Sequence, residues 1–362
     1  MSLVLNGTTG ITNLPSINSG QIGGRRNIVY NGEMKVAQRS TSVTGLGAAS
    51  GYFTLDRWNM LEPTGNGHTA LAGRYTMAQI ADGPAGIANC LKISTTTADT
   101  SIGANELLFL NQRFEGQDLQ QLKKGTASAE QVTVSFYVKG NAAALYVCEL
   151  FDGDNSRSIT QSFAVTTAWN RIELTFAADT SDPLDDDNAV SLYLNIWLHG
   201  GSTYTGGTFA VNTWNDQTAA NRYAVANRTS IFDSTNRTFF ITGVQMEVGS
   251  TATDFEHRSF GEELALCQRY YQDTGLYAAG WPIDATSALS GSNFITSMRA
   301  APTMTFVSGF VQYGPGGSGT SSAASFSQVS TTGFLVDITM AGGMTVNTGC
   351  TTVLSYTAAA EL

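Results

Sequence analysis

The stretch Val132-Thr133-Val134-Ser135-Phe136-Tyr137-Val138-Lys139 decides the fold class. Val132, Val134, Phe136 and Val138 fall on one side of an extended chain, and Thr133, Ser135, Tyr137 and Lys139 fall on the other. That period of two belongs to a strand with one buried face. It recurs at Ile172, Leu174 and Phe176, and again at Leu192, Leu194, Ile196 and Leu198. A parallel sheet covered by helices would instead show continuous apolar strands alternating with long helical segments, and none are present. The composition agrees: among 362 residues only 13% are charged while Gly reaches 38, a balance suited to many short strands joined by tight turns. The expected fold is all-β, an antiparallel jelly-roll sandwich.

Working outward, the alternating pattern runs from about residue 27 to 258. It is interrupted by two short stretches of helical character, Asp118 to Lys124 and Gln217 to Ala224, which read as connectors. Ser259 and Glu262 have capping-box spacing ahead of Leu264, Leu266, Cys267, Tyr270 and Tyr271, so a linking helix is expected over 259–274. Beyond it, 275–362 returns to β-like runs such as Met304 to Val311 and Gly333 to Met340, read as a small C-terminal β domain. Gly314-Pro315-Gly316-Gly317-Ser318-Gly319 splits these runs and reads as a loop. Residues 1–26 are Gly-rich and too poor in apolar residues for a core, and are expected to be an arm that orders only against a partner.

Several classes of function are disfavoured. Nineteen Lys plus Arg against 29 Asp plus Glu give a net charge of −10, and without a basic run nucleic acid is an unsuitable partner. The start lacks a basic, apolar leader and no 18-residue apolar stretch follows, so no signal peptide or membrane insertion is expected. Cys90, Cys148, Cys267 and Cys350 are scattered without metal-site spacing and read as buried small hydrophobes. His68, His199 and His257 have no nucleophile or zinc-protease motif near them. The chain is expected not to be an enzyme.

Several phrases carry a resemblance to a known group. Asn27-Ile28-Val29-Tyr30-Asn31-Gly32-Glu33-Met34-Lys35-Val36-Ala37-Gln38-Arg39, followed by Asp56-Arg57-Trp58, resembles the opening of sandwich domains in phage tail-fibre-like proteins. Gly243-Val244-Gln245-Met246-Glu247-Val248-Gly249 and Ala252-Thr253-Asp254-Phe255-Glu256 resemble the last strand of those domains and of jelly-roll carbohydrate-binding modules. Cys267-Gln268-Arg269-Tyr270-Tyr271 and Met298-Arg299-Ala300-Ala301-Pro302-Thr303 are similar to segments that follow in the same phage proteins. The resemblance spans roughly 27–303. It implies a virion protein, commonly homotrimeric, exposed on the particle and often involved in attachment to host glycan, with 1–26 as the arm that joins other virion tail or capsid proteins. It supplies no ligand motif. A decoration or adaptor protein without receptor binding is the alternative, and a polysaccharide depolymerase a more distant one.

Two constellations are candidates for chemistry. On the Val190–Leu198 strand the even positions should face the core, leaving Tyr193, Asn195, Trp197 and His199 on the opposite side, with Tyr137 on the polar face of another strand. Aromatic rings beside amide groups suit a glycan, since a pyranose face packs on a ring while its hydroxyls need directional partners. The rival reading has the same face packed on a neighbouring subunit or a covering loop. The second constellation is Asp182, Asp185, Asp186 and Asp187, either a solvated turn or a structural calcium site, because adjacent carboxylates repel unless a cation lies between them. No other cofactor is expected.

Overall fold

The computed structural model describes residues 25–62, 68–313, 317–346 and 348–362, together with the backbone of a short antiparallel pair, β1 (Ser16–Ile17) and β2 (Gly20–Gln21). The rest of the expected arm, and residues 314–316 of the expected loop, lie outside the described residues. The chain divides into two compact units, Met1–His257 and Arg258–Leu362. Among the described residues no helix is long and apolar enough to cross a membrane.

The strands of the first unit are β3 (Ser42–Leu46), β4 (Asn59–Leu61), β5 (Arg74–Ile80), β6 (Cys90–Thr97), β7 (Leu107–Glu115), β8 (Val132–Gly140), β9 (Ala144–Asp152), β10 (Arg157–Val165), β11 (Asn170–Phe176), β12 (Val190–Gly200), β13 (Asn215–Asp216) and β14 (Thr238–Val248). They form two six-stranded sheets, β13-β10-β9-β12-β7-β4 and β11-β8-β14-β6-β5-β3. Every strand pairing within them is antiparallel. Period-two residues of β8 and β12 meet in one core: Val134, Phe136, Val138, Leu194, Ile196 and Leu198 all belong to it. Aromatic pairs join strands of the two sheets, with Phe136 edge-on to Phe163 at 5.0 Å and Tyr146 edge-on to Phe239 at 5.5 Å. Both expected helical connectors are short 3-10 turns, at Gly116–Asp118 with Gln120–Leu122 and at Ala219–Asn221.

The opening and closing phrases are one structural device. Asn27 donates its amide to the Val244 carbonyl at 3.1 Å and accepts from the Val29 and Met246 backbone N–H groups at 3.0 and 3.2 Å. Gly32 O accepts the Val244 N–H at 3.0 Å. Asn31 adopts a left-handed backbone, φ 54°, and is fully buried. Its side chain holds the turn by donating to the Val36 and Asp56 carbonyls and accepting from the Lys35 and Val36 N–H groups. Buried amides in such a turn replace the ladder that a strand would supply. Asp56, Arg57 and Trp58 are fully buried. The ion pair there runs from Asp56 to Arg39 at 3.3 Å, Arg57 donates to the Arg113 carbonyl, and the Trp58 indole donates to Asn31 O.

The second unit starts with the expected capping box: Ser259 Oγ accepts from Glu262 N, and the Glu262 carboxylate accepts from Ser259 N. The helix covers Phe260–Gln268 and stops short of the expected 274, because the chain pairs as a strand from Tyr271, opposite Ala359. The strands β15 (Tyr271–Pro282), β16 (Ser287–Asn293), β17 (Thr303–Tyr313), β18 (Gly317–Ser327), β19 (Gly333–Met340) and β20 (Cys350–Ala359) close into a barrel in the order β15-β16-β19-β18-β17-β20. Closure leaves no edge to protect. The barrel has its own core, including Val336, Ile338, Leu354 and Tyr356. Gly317, Ser318 and Gly319, expected in a loop, instead pair with Tyr313, Gln312 and Val311, since antiparallel hydrogen bonding outweighs the weak strand preference of glycine.

Gly32 is required by space. A Cβ there would lie 2.2 Å from the Val244 carbonyl oxygen and 3.3 Å from the Phe255 ring. Gly32→Ala must therefore push the opening segment off β14, and we expect a loss of at least about 1–3 kcal/mol, in the range of core overpacking. Urea unfolding checks this; an unchanged midpoint would show that the two segments are not locked together.

Candidate functional site

The expected glycan face does not form an exposed platform. Tyr137 and Tyr193 are partly exposed but belong to different sheets. Asn195 is 1% exposed and Trp197 and His199 are 0% exposed. The period-two reading of β12 is right, yet its second face is covered by the segment running from Gly201 to Asp233, which includes α1 (Ser202–Thr205). Trp197 stacks on Tyr223 at 5.8 Å and also meets Tyr204 and Phe109. Of the two alternatives open in the sequence, a covering loop and a neighbouring subunit, the chain supplies the loop.

A single carboxylate fastens that cover. Glu149 on β9 is fully buried and accepts the Arg222 fork through Nε and Nη2, both at 2.7 Å. It also accepts the Trp197 indole N–H at 2.8 Å and the Asn195 amide at 2.9 Å. Asn195 in turn accepts from Asn111 at 2.6 Å, and Asn111 accepts from Arg113 at 3.1 Å. The Arg222 guanidinium lies 4.9 Å over the Trp197 ring. Bidentate pairing with an aromatic stack is a geometry that arginine satisfies and lysine does not. At the margin of this network Tyr193 remains partly exposed, 5.4 Å from Phe151 and under Arg113 at 5.8 Å.

The acidic run is not a converging cage. Asp182, Asp185, Asp186 and Asp187 are all exposed, and the backbone turns through them, with Asp187 Oδ1 accepting from Ala189 N at 2.8 Å and Asp154 Oδ2 accepting from Asp185 N at 3.0 Å. The charge that organises this corner is an ammonium. Lys124 Nζ lies 2.6 Å from Asp152 and 3.1 Å from Asp179, and donates to the Ser181 and Asp182 carbonyls. The four residues are thus exposed in a turn beside a buried lysine. Asp152-Gly153-Asp154-Asn155 is a turn in which Asp152 Oδ1 accepts from Asn155 N at 3.0 Å.

His199 stands in a different cluster, which the sequence did not reveal. Its Nε2 lies 3.2 Å from Glu106 Oε2 and its Nδ1 lies 2.8 Å from Ser230 Oγ. Asp99 completes the group. Burial raises the Asp99 carboxyl above its ordinary range, and the neighbouring Glu106 adds to this. Burial also pushes Glu106 up, but hydrogen bonds with His199 and Asp99 outweigh it and hold that carboxyl below its ordinary value. The other histidines are tied elsewhere: His68 meets the Tyr204 hydroxyl at 3.0 Å and His257 pairs with Glu33.

Exposed aromatics are found instead on the barrel. Tyr277 of β15 is 77% exposed, Trp281 56% and Phe310 of β17 38%. Tyr277 and Phe310 both lie directly opposite Val353 of β20, one on either side. Paired residues share a sheet face, so Tyr277, Val353 and Phe310 form a row across three strands, and Trp281 continues the same face four residues along β15. Neighbouring outward positions are Thr351 and Ser355 on β20 and Gln312 and Ser308 on β17. Between 300 and 362 the chain has no Lys or Arg and only Asp337 and Glu361 as acids. The face is aromatic and rich in hydroxyl groups, with Asp273 farther along the same side of β15.

No protein-family model matches the chain, and no curated protein matches it. Solved structures do. A CBM4 carbohydrate-binding structure is similar at 12% identity and a TM-score of 0.31, over 60% of this chain and 97% of that one. The family 11 carbohydrate-binding module of a Clostridium thermocellum cellulosomal cellulase is similar at 12% identity and a TM-score of 0.26, over 59% of this chain and 100% of that one. The enzymatically active domain of the Bacteriophage CBA120 tailspike protein 4 is similar at 11% identity and a TM-score of 0.31, over 61% of this chain and 21% of that one.

The sealed network makes a firm prediction. Arg222→Ala leaves Glu149 buried without its counter-charge, and should cost about 3–5 kcal/mol in urea unfolding. Arg222→Ala combined with Glu149→Gln removes the stranded charge and should recover a substantial part of that loss. Equal losses in the single and double variants would mean that the cover is held by packing rather than by the carboxylate.

Proposed function

We propose that the chain is a non-enzymatic, homotrimeric appendage of a bacteriophage particle that binds neutral host-surface glycan through the outer face of its C-terminal barrel. The observation that carries the glycan reading is the row Tyr277, Val353 and Phe310 with Trp281 beside it, exposed among Thr, Ser and Gln side chains. Rings offer apolar area to the C–H faces of a sugar, and the hydroxyl and amide groups around them offer directional partners. The absence of Lys and Arg from 300–362 favours a neutral saccharide over an acidic one. The virion assignment is supported by the phrases within 27–303 that resemble tail-fibre-like proteins, with residues 1–26 in the role of the attachment arm.

Tyr277 and Trp281 are about four residues apart along β15, roughly 13 Å at strand spacing, which an oligosaccharide of a few units spans. Covering about 60–100 Å² of one ring contributes on the order of 1.5–2.5 kcal/mol at ~25 cal/mol per Å², a change of roughly tenfold to seventyfold in affinity. Tyr277→Ala and Trp281→Ala, each in the full chain, should therefore weaken retention on host cells and on immobilised neutral polysaccharide by at least about tenfold. Their thermal unfolding should match that of the parent, because both rings lie outside the barrel core. Light scattering run alongside separates the rival: loss of the oligomer in either variant would make this face a subunit interface. Unchanged adsorption by an intact oligomer would remove it as the receptor surface.

A further inference from the structure

We propose that Asp99, Glu106 and His199 form a structural site for one divalent transition cation, with Zn²⁺ as its natural occupant. Their ligand atoms all lie within 4.8 Å of one another. The residues are 5%, 3% and 0% exposed. Each arrives from a different place: Asp99 follows β6, Glu106 immediately precedes β7, and His199 is near the end of β12.

The local backbone fixes all three. Asp99 N donates to Phe232 O at 2.8 Å, and Asp99 Oδ1 accepts from Ser101 N at 2.9 Å. Glu106 N donates to Gly103 O at 3.2 Å, and Glu106 O accepts from Gly201 N at 2.8 Å. The His199 ring is edge-on to Phe232 at 5.2 Å, with Ser230 Oγ on its Nδ1. Ser230 Oγ already accepts from Phe232 N at 3.0 Å, so the partner that orients the imidazole is itself held. A histidine oriented through its second nitrogen, with the first turned toward carboxylates, is the arrangement of a metal ligand.

One atom points to a missing positive charge. Asp99 Oδ2 is fully buried with no N–H or hydroxyl donor to it, and only the Glu106 carboxyl stands beside Asp99 to share a proton with it, while its other oxygen is satisfied. An unpaired buried carboxylate oxygen beside a second carboxylate is strongly unfavourable unless a proton or a cation lies between them. A divalent ion would balance two carboxylates and leave the imidazole neutral. Calcium and magnesium prefer shells made of oxygen, whereas one nitrogen and two oxygens suit zinc, which accepts three protein ligands at about 2.0–2.2 Å and an additional small ligand. The ion would join β6, β7 and β12, and through Ser230 it would also anchor the end of the segment that covers Trp197. That role is independent of the glycan reading.

The test uses the full chain, unfolded in urea with a chelator and refolded with or without metal, so that entry to a buried site does not limit the result. Isothermal titration should report one Zn²⁺ per chain, with Ca²⁺ binding far more weakly, and the thermal midpoint should rise with Zn²⁺ concentration. Asp99→Asn and Glu106→Gln, which preserve shape, should each lower Zn²⁺ affinity at least ~10-fold, while Asp186→Asn in the exposed run should leave it unchanged. Co²⁺ in place of Zn²⁺ should give visible bands of a nitrogen and oxygen site with no thiolate charge-transfer band. Failure of the refolded parent to bind Zn²⁺ stoichiometrically would overturn the proposal, as would equal binding by the Asp99→Asn variant.

Discussion

The carboxylate of Glu149 is the constraint on which the rest of the sandwich depends. A charge buried under two layers of side chains has to be answered inside the protein, and four hydrogen bonds from three residues answer it. Those bonds fix the Trp197 indole, the Asn195 amide and the Arg222 guanidinium at once. Because Arg222 belongs to the covering segment, the same bonds turn a flexible connection into a lid. The aromatic face of β12 is therefore buried as part of the unit's core, with Tyr204 and Tyr223 closing over Trp197.

This has a consequence for where a ligand can be read. A jelly-roll sheet with Tyr, Trp, Asn and Arg on one face resembles a recognition surface until its solvent exposure is known. Here the polar groups are consumed by one another, and the stacking faces are already occupied. The barrel has the opposite character. Its outward rings Tyr277, Trp281 and Phe310 are exposed among the described residues and stand among hydroxyl groups. The sandwich thus uses the aromatic face of β12 for internal order, whereas the barrel buries Phe294, Phe334 and Tyr356 but leaves Tyr277, Trp281 and Phe310 exposed.

The buried cluster at Asp99, Glu106 and His199 extends the same logic to a second point of the cover. Two carboxylates and an imidazole meet where β6, β7 and β12 converge, beside Ser230 and Phe232 at the end of the covering segment. The lid is thus pinned within its length by Arg222 and lies, at its Ser230 end, against a site that needs a positive charge. The opening segment is held to β14 by a neutral amide instead, that of Asn27, while the Asn31 amide closes the adjoining turn onto Val36 and Asp56. Neutral amides serve there because the groups to be satisfied are backbone N–H and C=O, which need no counter-charge.

Alternation along the chain was sufficient for β8, β11 and β12, because side-chain parity is a local property that sequence displays directly, whereas the Gly-rich start of β18 carries no such parity and read as a loop. The Ser259 capping box and the short turns near Asp118 and Gln217 were legible for the same reason: each is made within a few residues. Parity also separated Leu194 and Ile196 from Asn195 and Trp197 correctly. It could not say which side meets water, since that depends on what else packs there. The partners that decide it are far apart, Glu149 and Arg222 by 73 positions and Glu106 and His199 by 93, with no periodic signal linking them. Tyr277 and Trp281 went unread in the sequence: they share one side of β15, but only barrel closure fixed which face turns outward. Local geometry determined the elements; long-range burial of charge decided which of their surfaces remained open.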